Sequence, residues 1–342
     1  MTLELTKKMS LSVARYRFNV RVTSPLKLPD YAGSTLRGAF GHALLQVCGL
    51  SPADREMNTL LLQQSAYVAV FAPQQSAQGV SLNNLAQLPV PYVIEAPLVK
   101  AQTYQTNEQL SFDVVLLGPA MPHLSTIILA WRRAFLRGVG AGAGTGELIS
   151  VECLVPDGTV LTIYTQQQPR VVAHDSRITA PEFNRSHPDG CDVHLWLQTP
   201  LRLQQRGKII APGEMTAPIL LRNLIRRVTL QMQIQQADNW PLARIHQLND
   251  FTDKVTDDRR LIWQDWERYS SRQQQSMKLS GVTGHWLLHQ VPAELLPFIY
   301  LGQWLHLGKE TAFGLGKYTW LSAPWQTDNT TQYLNTEGHR YV

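Results

Sequence analysis

Cysteine is scarce in this sequence. Cys48, Cys153 and Cys191 are few, odd in number and widely spaced, so neither a disulfide framework nor a zinc site is implied. Charge is sparse too. Only 17% of the 342 residues are Asp, Glu, Lys or Arg, against 44% hydrophobic; that balance excludes global disorder and supplies a core. The apolar runs are broken within a few turns, and none reaches membrane-spanning length. The opening stretch, "MTLELTKKMSLSVARYRF", lacks an apolar segment of signal-peptide length. A cytoplasmic, soluble protein with no membrane partner is expected. No Gly-x-Ser-x-Gly elbow and no His-Glu-x-x-His pair occurs, and the reading includes no metal and no cofactor.

What is present is a moderate positive balance. The net charge is +5 and arginine outnumbers lysine, which favours an anionic partner met by bidentate contacts. The length allows one large domain or two modest ones.

The chain reads as two halves in the same order. Residues 11–24 alternate polar and apolar, as a half-buried strand does. "PLKLPDYAG" reads as a loop. A helix follows with Ser34 as N-cap and Leu36, Phe40, Ala43, Leu44 and Val47 on one face. "SAYVAVFAP" and "LSFDVVLLG" read as strands, "HLSTIILAWRRAFLRGV" as a helix, and "ELISVECLV" after a glycine cluster as a strand. From residue 192 the order returns: strand, the helix "TAPILLRNLIRRVTLQMQIQQ", two strands, the helix "AELLPFIYLGQWLHLG", a glycine loop and the strand "GKYTWL". "SPLKL" at 24–28 matches "TPLRL" at 199–203, and Gly144-Thr145-Gly146 stands where Gly314-Leu315-Gly316 stands later. The expectation is α+β, with two tandem ferredoxin-like βαββαβ domains, each leaving one sheet face free. The boundaries fall at 1–163, a polar linker 164–190, 191–325, and a tail 326–342.

Four segments carry a family likeness: "LPDYAGSTLRGAFGHAL" (28–44), "AYVAVFAP" (66–73), "VPYVIEAPL" (90–98) and "LGQWLHLGKETAFGLGKY" (301–318). With the doubled architecture they resemble the RAMP superfamily of CRISPR-associated proteins, and within it the endoribonuclease that cuts precursor CRISPR RNA at its repeats. The resemblance implies metal-free chemistry, in which the ribose 2′-hydroxyl attacks the adjacent phosphorus and leaves a 2′,3′-cyclic phosphate and a 5′-hydroxyl. It implies CRISPR repeat RNA and mature guide RNA as partners, and allows other CRISPR-associated effector subunits. The alternative is a RAMP subunit that binds guide RNA without cutting it. A general double-stranded RNA-binding module is more remote.

Such chemistry needs an acid, a base and cations. His42, with Gly38, lies off the apolar face of the first helix and is the leading acid or base. Tyr31 before the helix is placed to orient or protonate, and Arg37 to stabilise the phosphate. The junction near the C-terminus, with Gly308, Gly314 and Gly316 around His306, Lys309 and Lys317, reads as a phosphodiester cradle of exposed N–H groups and fixed charge. Arg222, Arg226 and Arg227 on one helix, and Arg132, Arg133 and Arg137 on another, are candidate phosphate-tracking faces, the first group favoured. His285 and His289 read as sheet-surface residues, and Asp257-Asp258-Arg259-Arg260 as a solvated turn.

Overall fold

The computed structural model describes residues 8–57, 60–73, 88–99, 101–183, 190–205, 207–235, 242–270 and 275–321. The expected tail 326–342 lies outside them. The first sheet is built on the long strand Ser10–Val22, which runs antiparallel between Gln109–Leu117 and Gly146–Leu154; Tyr92–Glu95 extends one side and Val160–Thr165 the other. The helices Gly33–Val47 and Leu124–Arg137 cross one face. The second sheet has the same plan, in the spatial order Thr256–Gln264, Gly281–Val291, Cys191–Leu201, Tyr318–Leu321. Its helices are Ala217–Ile234 and Leu296–Leu305. In both, the two crossovers give the spatial order of a ferredoxin-like fold, so the chain is two such folds in tandem.

The repetition is physical as well as verbal. Gly140 lies over the carbonyl of Lys27, where a Cβ would stand 2.2 Å from the oxygen, and Gly308 lies over the carbonyl of Arg202 at 2.5 Å. Ala141 N–H donates to Lys27 O, and Lys309 N–H to Arg202 O at 2.9 Å. Each glycine loop thus seats on its own Pro-Leu-Lys/Arg-Leu segment, because only glycine permits that approach.

Three local readings change. The first helix begins at Gly33 after Ala32, with no side-chain cap. A Cβ on Gly33 would lie 2.0 Å from Phe313 O, so packing on the second half sets this helix start. "AYVAVFAP" is not a strand. Ala66–Val70 is a short helix in which Ser65 Oγ accepts from Val68 N–H, and the place in the sheet goes to Tyr92–Glu95, buried along its whole length. A strand buried on both faces has no polar alternation to announce it. Finally, residues 257–260 are strand, not turn, paired with 285–288.

The open sheet face of the first half is only partly open. Leu11, Val13, Val93, Val115 and Leu117 join one apolar core with Leu220, Leu224, Phe298 and Leu301 of the second half. Gln235 fastens the same edge: its Oε1 accepts from Ser12 N–H at 2.8 Å and its Nε2 donates to Ser12 O at 3.2 Å. The segment expected as a linker contributes Arg177–Thr179, paired with Ser10–Ser12. On the other face of the first sheet, Phe18 and Phe112 of its strands pack against Phe40 and Trp131 of its helices, with Phe40 and Trp131 stacked at 5.0 Å. Full burial of each such ring is worth about 2–3 kcal/mol.

Candidate active site and nucleic-acid interface

The junction between the halves is organised around one carboxylate. Glu95 ends the buried strand of the first half. Its Oε1 accepts from Arg15 at 3.0 Å and faces His306 Nε2 at 2.8 Å, while its Oε2 accepts from Lys317 Nζ at 2.7 Å. Arg15 comes from the first sheet, His306 and Lys317 from the glycine-rich loop. Burial alone would raise the carboxyl; Arg15, Lys317 and His306 together outweigh it and hold Glu95 well below the usual carboxylate range. Both ring nitrogens of His306 face acceptors, Nδ1 meeting Leu315 O at 3.1 Å, so a fully hydrogen-bonded ring would carry two protons. Against that geometry stands burial. Complete burial, with the positive charges of Lys317 and Arg15 beside the ring, outweighs the pull of Glu95 and pushes His306 below the ordinary imidazole value.

The loop itself is packed into protein. Tyr31 donates its hydroxyl hydrogen to Phe313 O and stacks on Trp266 at 4.4 Å. With Leu279, Phe313 and Leu315 these rings form a small apolar plug. A cavity of about 420 Å³ opens beside it, lined by Tyr31, Trp266, Glu95, Gln198 and Lys317 among others. A second, about 520 Å³, shares Glu95 and Lys317 and spreads over the polar sheet surface at Arg17, Asn19 and Asp113.

The structure reassigns much of the expected cradle. Gly314 has φ +88° and a Cβ there would sit 2.5 Å from Ile94 O; Gly316 has φ +71° and its Cβ would sit 1.8 Å from Leu307 O. Close backbone approach explains these glycines without a ligand. The N–H groups of Lys309, Phe313, Gly314, Gly316 and Lys317 all donate inside the protein, so they form no row of free donors. His306 is fully buried and is a partner of Glu95 rather than a surface contact. The Lys317 charge is met by Glu95. Arg227 donates to Leu305 O at 3.0 Å and Thr311 Oγ1 at 3.3 Å, closing the end of one helix and tying the loop to another; burial lowers its guanidinium to about 10, leaving it charged at neutral pH. Arg222 forms a two-oxygen ion pair with Asp253 at 2.6 Å. Arg226 and Lys309 are exposed. A Gly316→Ala variant is expected to lose on the order of 1–3 kcal/mol of stability from strain at positive φ, and more where Leu307 cannot yield; a thermal melt unchanged from the parent protein would contradict this account of the loop.

The first helix presents a different surface. His42 is exposed, Gly38 one turn before it has nothing within 4 Å of a built Cβ, and Gly41 faces the Phe71 ring instead. Arg37 is half-buried. Its Nε donates to the Tyr92 hydroxyl at 2.9 Å and its guanidinium lies over the rings of Phe71, at 4.5 Å, and Phe313, at 5.2 Å. His42 stands nine residues beyond Gly33, roughly 14 Å along the helix axis, so the helix links the glycine loop at one end to an accessible imidazole further along. Tyr31, expected as orienting or acidic, has its hydroxyl committed to the loop and serves as a buried clamp.

Two important residues escaped the sequence reading. Glu95 carried a signal: one carboxylate inside the apolar run "VPYVIEAPL", which if buried demands cationic partners. Trp266 carried none, since its contact with Tyr31 is made 235 positions away in sequence, across the two halves. Of the histidines on the second sheet, His285 meets His194 at 3.0 Å and His289 lies between Asp192 and Asp258, each at 3.1 Å. No cluster of ligands able to hold a metal occurs among the described residues, and no helix among them is long and apolar enough to cross a membrane.

Comparison with known proteins adds the following. A family model described as an N-terminal domain matches residues 11–176, and the model of the CRISPR-associated endoribonuclease Cas6 matches residues 195–318. No curated protein sequence matches. Among solved structures, a Cas6 product complex from Thermus thermophilus is similar over 90% of this chain and 99% of that one, with a TM-score of 0.51 and 13% identity. A partial Cas6-RT-Cas1–Cas2 complex is similar over 90% of this chain and 46% of the other, with a TM-score of 0.53 and 13% identity. At such identity these likenesses describe the fold.

Proposed function

We propose that the chain is a Cas6-type, RAMP-fold endoribonuclease, a reading supported by the Cas6 family model over residues 195–318 and by the fold shared with a Cas6 product complex, and that it cuts precursor CRISPR RNA within its repeats, without a metal, by attack of a ribose 2′-hydroxyl on the adjacent phosphorus. The bond formed is O2′–P and the bond broken is P–O5′, giving a 2′,3′-cyclic phosphate and a 5′-hydroxyl. The observation that carries this reading is the exposed His42 beside the unobstructed Gly38 on a helix that starts against the glycine-rich loop. A histidine exchanges protons near neutrality and can serve as the acid or the base. Arg37 is fixed by Tyr92 and two aromatic rings, a preorganised cation of the kind that stabilises a crowded phosphorane. Arg226 and Lys309, both exposed, remain as phosphate contacts on the second half. The units 1–163 and 191–325, joined by 164–190, are proposed as its domains, and repeat RNA as its partner in the cytoplasm. Association with other CRISPR-associated proteins is also proposed, prompted by the partial Cas6-RT-Cas1–Cas2 complex among the similar structures.

The test is incubation of the purified protein with repeat RNA in excess EDTA. Cuts at one site ending in cyclic phosphate are expected. Intact RNA that is nevertheless shifted on a native gel would instead make the protein a non-cutting RAMP subunit.

A further inference from the structure

The two helices of the first half end side by side, and their last turns hold an uncompensated pair of cations. Arg133 Nε donates to Gln46 Oε1 at 3.1 Å, and an Arg137 terminal nitrogen donates to the same oxygen. Both arginines are exposed. Among the described residues neither is paired with a carboxylate: Arg17, Arg21 and Arg222 each have an aspartate or glutamate, and these two converge on a neutral amide. Gln46 lies one helical turn beyond His42, on the same strip of the first helix.

Two guanidinium groups on one uncharged oxygen repel each other. The helix ends offset part of this. Each C-terminus carries about half a negative charge, so two supply roughly one against two full positive charges. The surplus is positive and faces solvent, and the rigid donor forks match the geometry of a phosphate better than that of a point anion. A phosphate seated there would replace one shared, neutral acceptor with several charged ones.

We infer that Gln46, Arg133 and Arg137 form a phosphate-binding site that holds the RNA backbone a short distance from the scissile bond. Gln46 sets the spacing of the two forks. The site lies on the first half, away from the basic residues of the helix Ala217–Ile234, so it gives the RNA a path along the first helix past His42. This inference rests on the nuclease reading for its meaning, though the anion site itself does not. Arg133 and Arg137 are positioning residues: they act on a phosphate other than the one that reacts.

The experiment measures repeat-RNA affinity against salt and, separately, cleavage kinetics. In the double variant Arg133→Ala/Arg137→Ala, one lost phosphate contact should reduce the slope of log affinity against log salt by about 0.7 for an unpaired strand. KM should rise about tenfold or more, with kcat nearly unchanged. Gln46→Leu keeps both charges and should retain the slope while weakening binding less. Arg21→Ala, whose partner is Glu147, should leave every value unchanged. The three arginines are exposed and Gln46 is half-buried at the helix end, and melting curves of the arginine variants should coincide with the parent. An unaltered salt slope in the double variant overturns the site, and so does a fall in kcat with KM unaffected. If the parent protein fails to cut RNA but the slope still shifts, the anion site stands and the nuclease reading falls.

Discussion

Replacing His42 by alanine should abolish most cutting and leave RNA binding intact. Positioned proton transfer contributes about 100- to 10,000-fold to rate, and the loss should fall within that range. Because His42 is exposed, removing its ring opens no cavity, and the melting temperature should hardly move. The measurement is a single-turnover cleavage assay on repeat RNA, with binding followed on the same preparation. A His42→Ala enzyme that turns over at the parental rate would remove the imidazole from the mechanism and move attention to Arg37. His306, the other histidine near the loop, should show the opposite pattern. Its ring is enclosed by Glu95 and Leu315 O, so its replacement is expected to cost stability first and activity only through the loop.

Glu95→Gln should destabilise the whole molecule by about 3–5 kcal/mol, the usual cost of removing one partner from a buried ion pair. The variant retains shape and volume, but Arg15 and Lys317 lose the charge that justified their approach, and two cations then face each other across the junction. Lys317→Met added to Glu95→Gln should recover part of the loss, since it removes one of the orphaned charges. Chemical denaturation of the set decides it; a Glu95→Gln protein within about 1 kcal/mol of the parent, inside the range of ordinary surface substitutions, would show that the cluster does not hold the halves together. The same group sets an acid limit. Its folded-state pKa is depressed, so the unfolded chain binds its proton more readily; the stabilisation is complete above the unfolded value of about 4.3 and is lost as pH falls through the lower folded value. His306, also depressed, works in the same sense at higher pH, with its loss beginning below about 6.5. The Glu95→Gln variant should lack the more acidic part of this decline.

These two variants separate what can be read along the chain from what cannot. The helices Leu124–Arg137 and Ala217–Ile234 follow from periodicity, because each presents one apolar and one polar side to its surroundings; the strand Ser10–Val22 follows from its alternation, although the two halves bury both of its faces. His42 follows in the same way: it falls off the apolar face of its helix, and an exposed position on a regular helix is a local property. The doubled order of elements is legible too, since the Pro-Leu-Lys and Pro-Leu-Arg segments must each seat a glycine loop.

Elsewhere the local signal misleads. "AYVAVFAP" is as apolar as a strand and is a helix; "YVIE" carries no alternation and is the strand. The glycines and basic residues of 306–317 suggest an anion cradle, and most of them are occupied with protein. The sequence alone determined the repeated order of elements in two ferredoxin-like units and an accessible histidine, since periodicity and the facing of a helix are written along the chain, whereas the strand pairings that close each sheet join residues far apart in it. Tertiary structure decided which charges remain available to a ligand. Glu95 takes the Lys317 charge and sets His306 inside, Asp253 takes Arg222, and Arg133 with Arg137 are left beside Gln46. A charge is cancelled by whatever opposite charge lies within a few ångströms, and that distance is set by the packing of the two halves against each other, not by position along the chain.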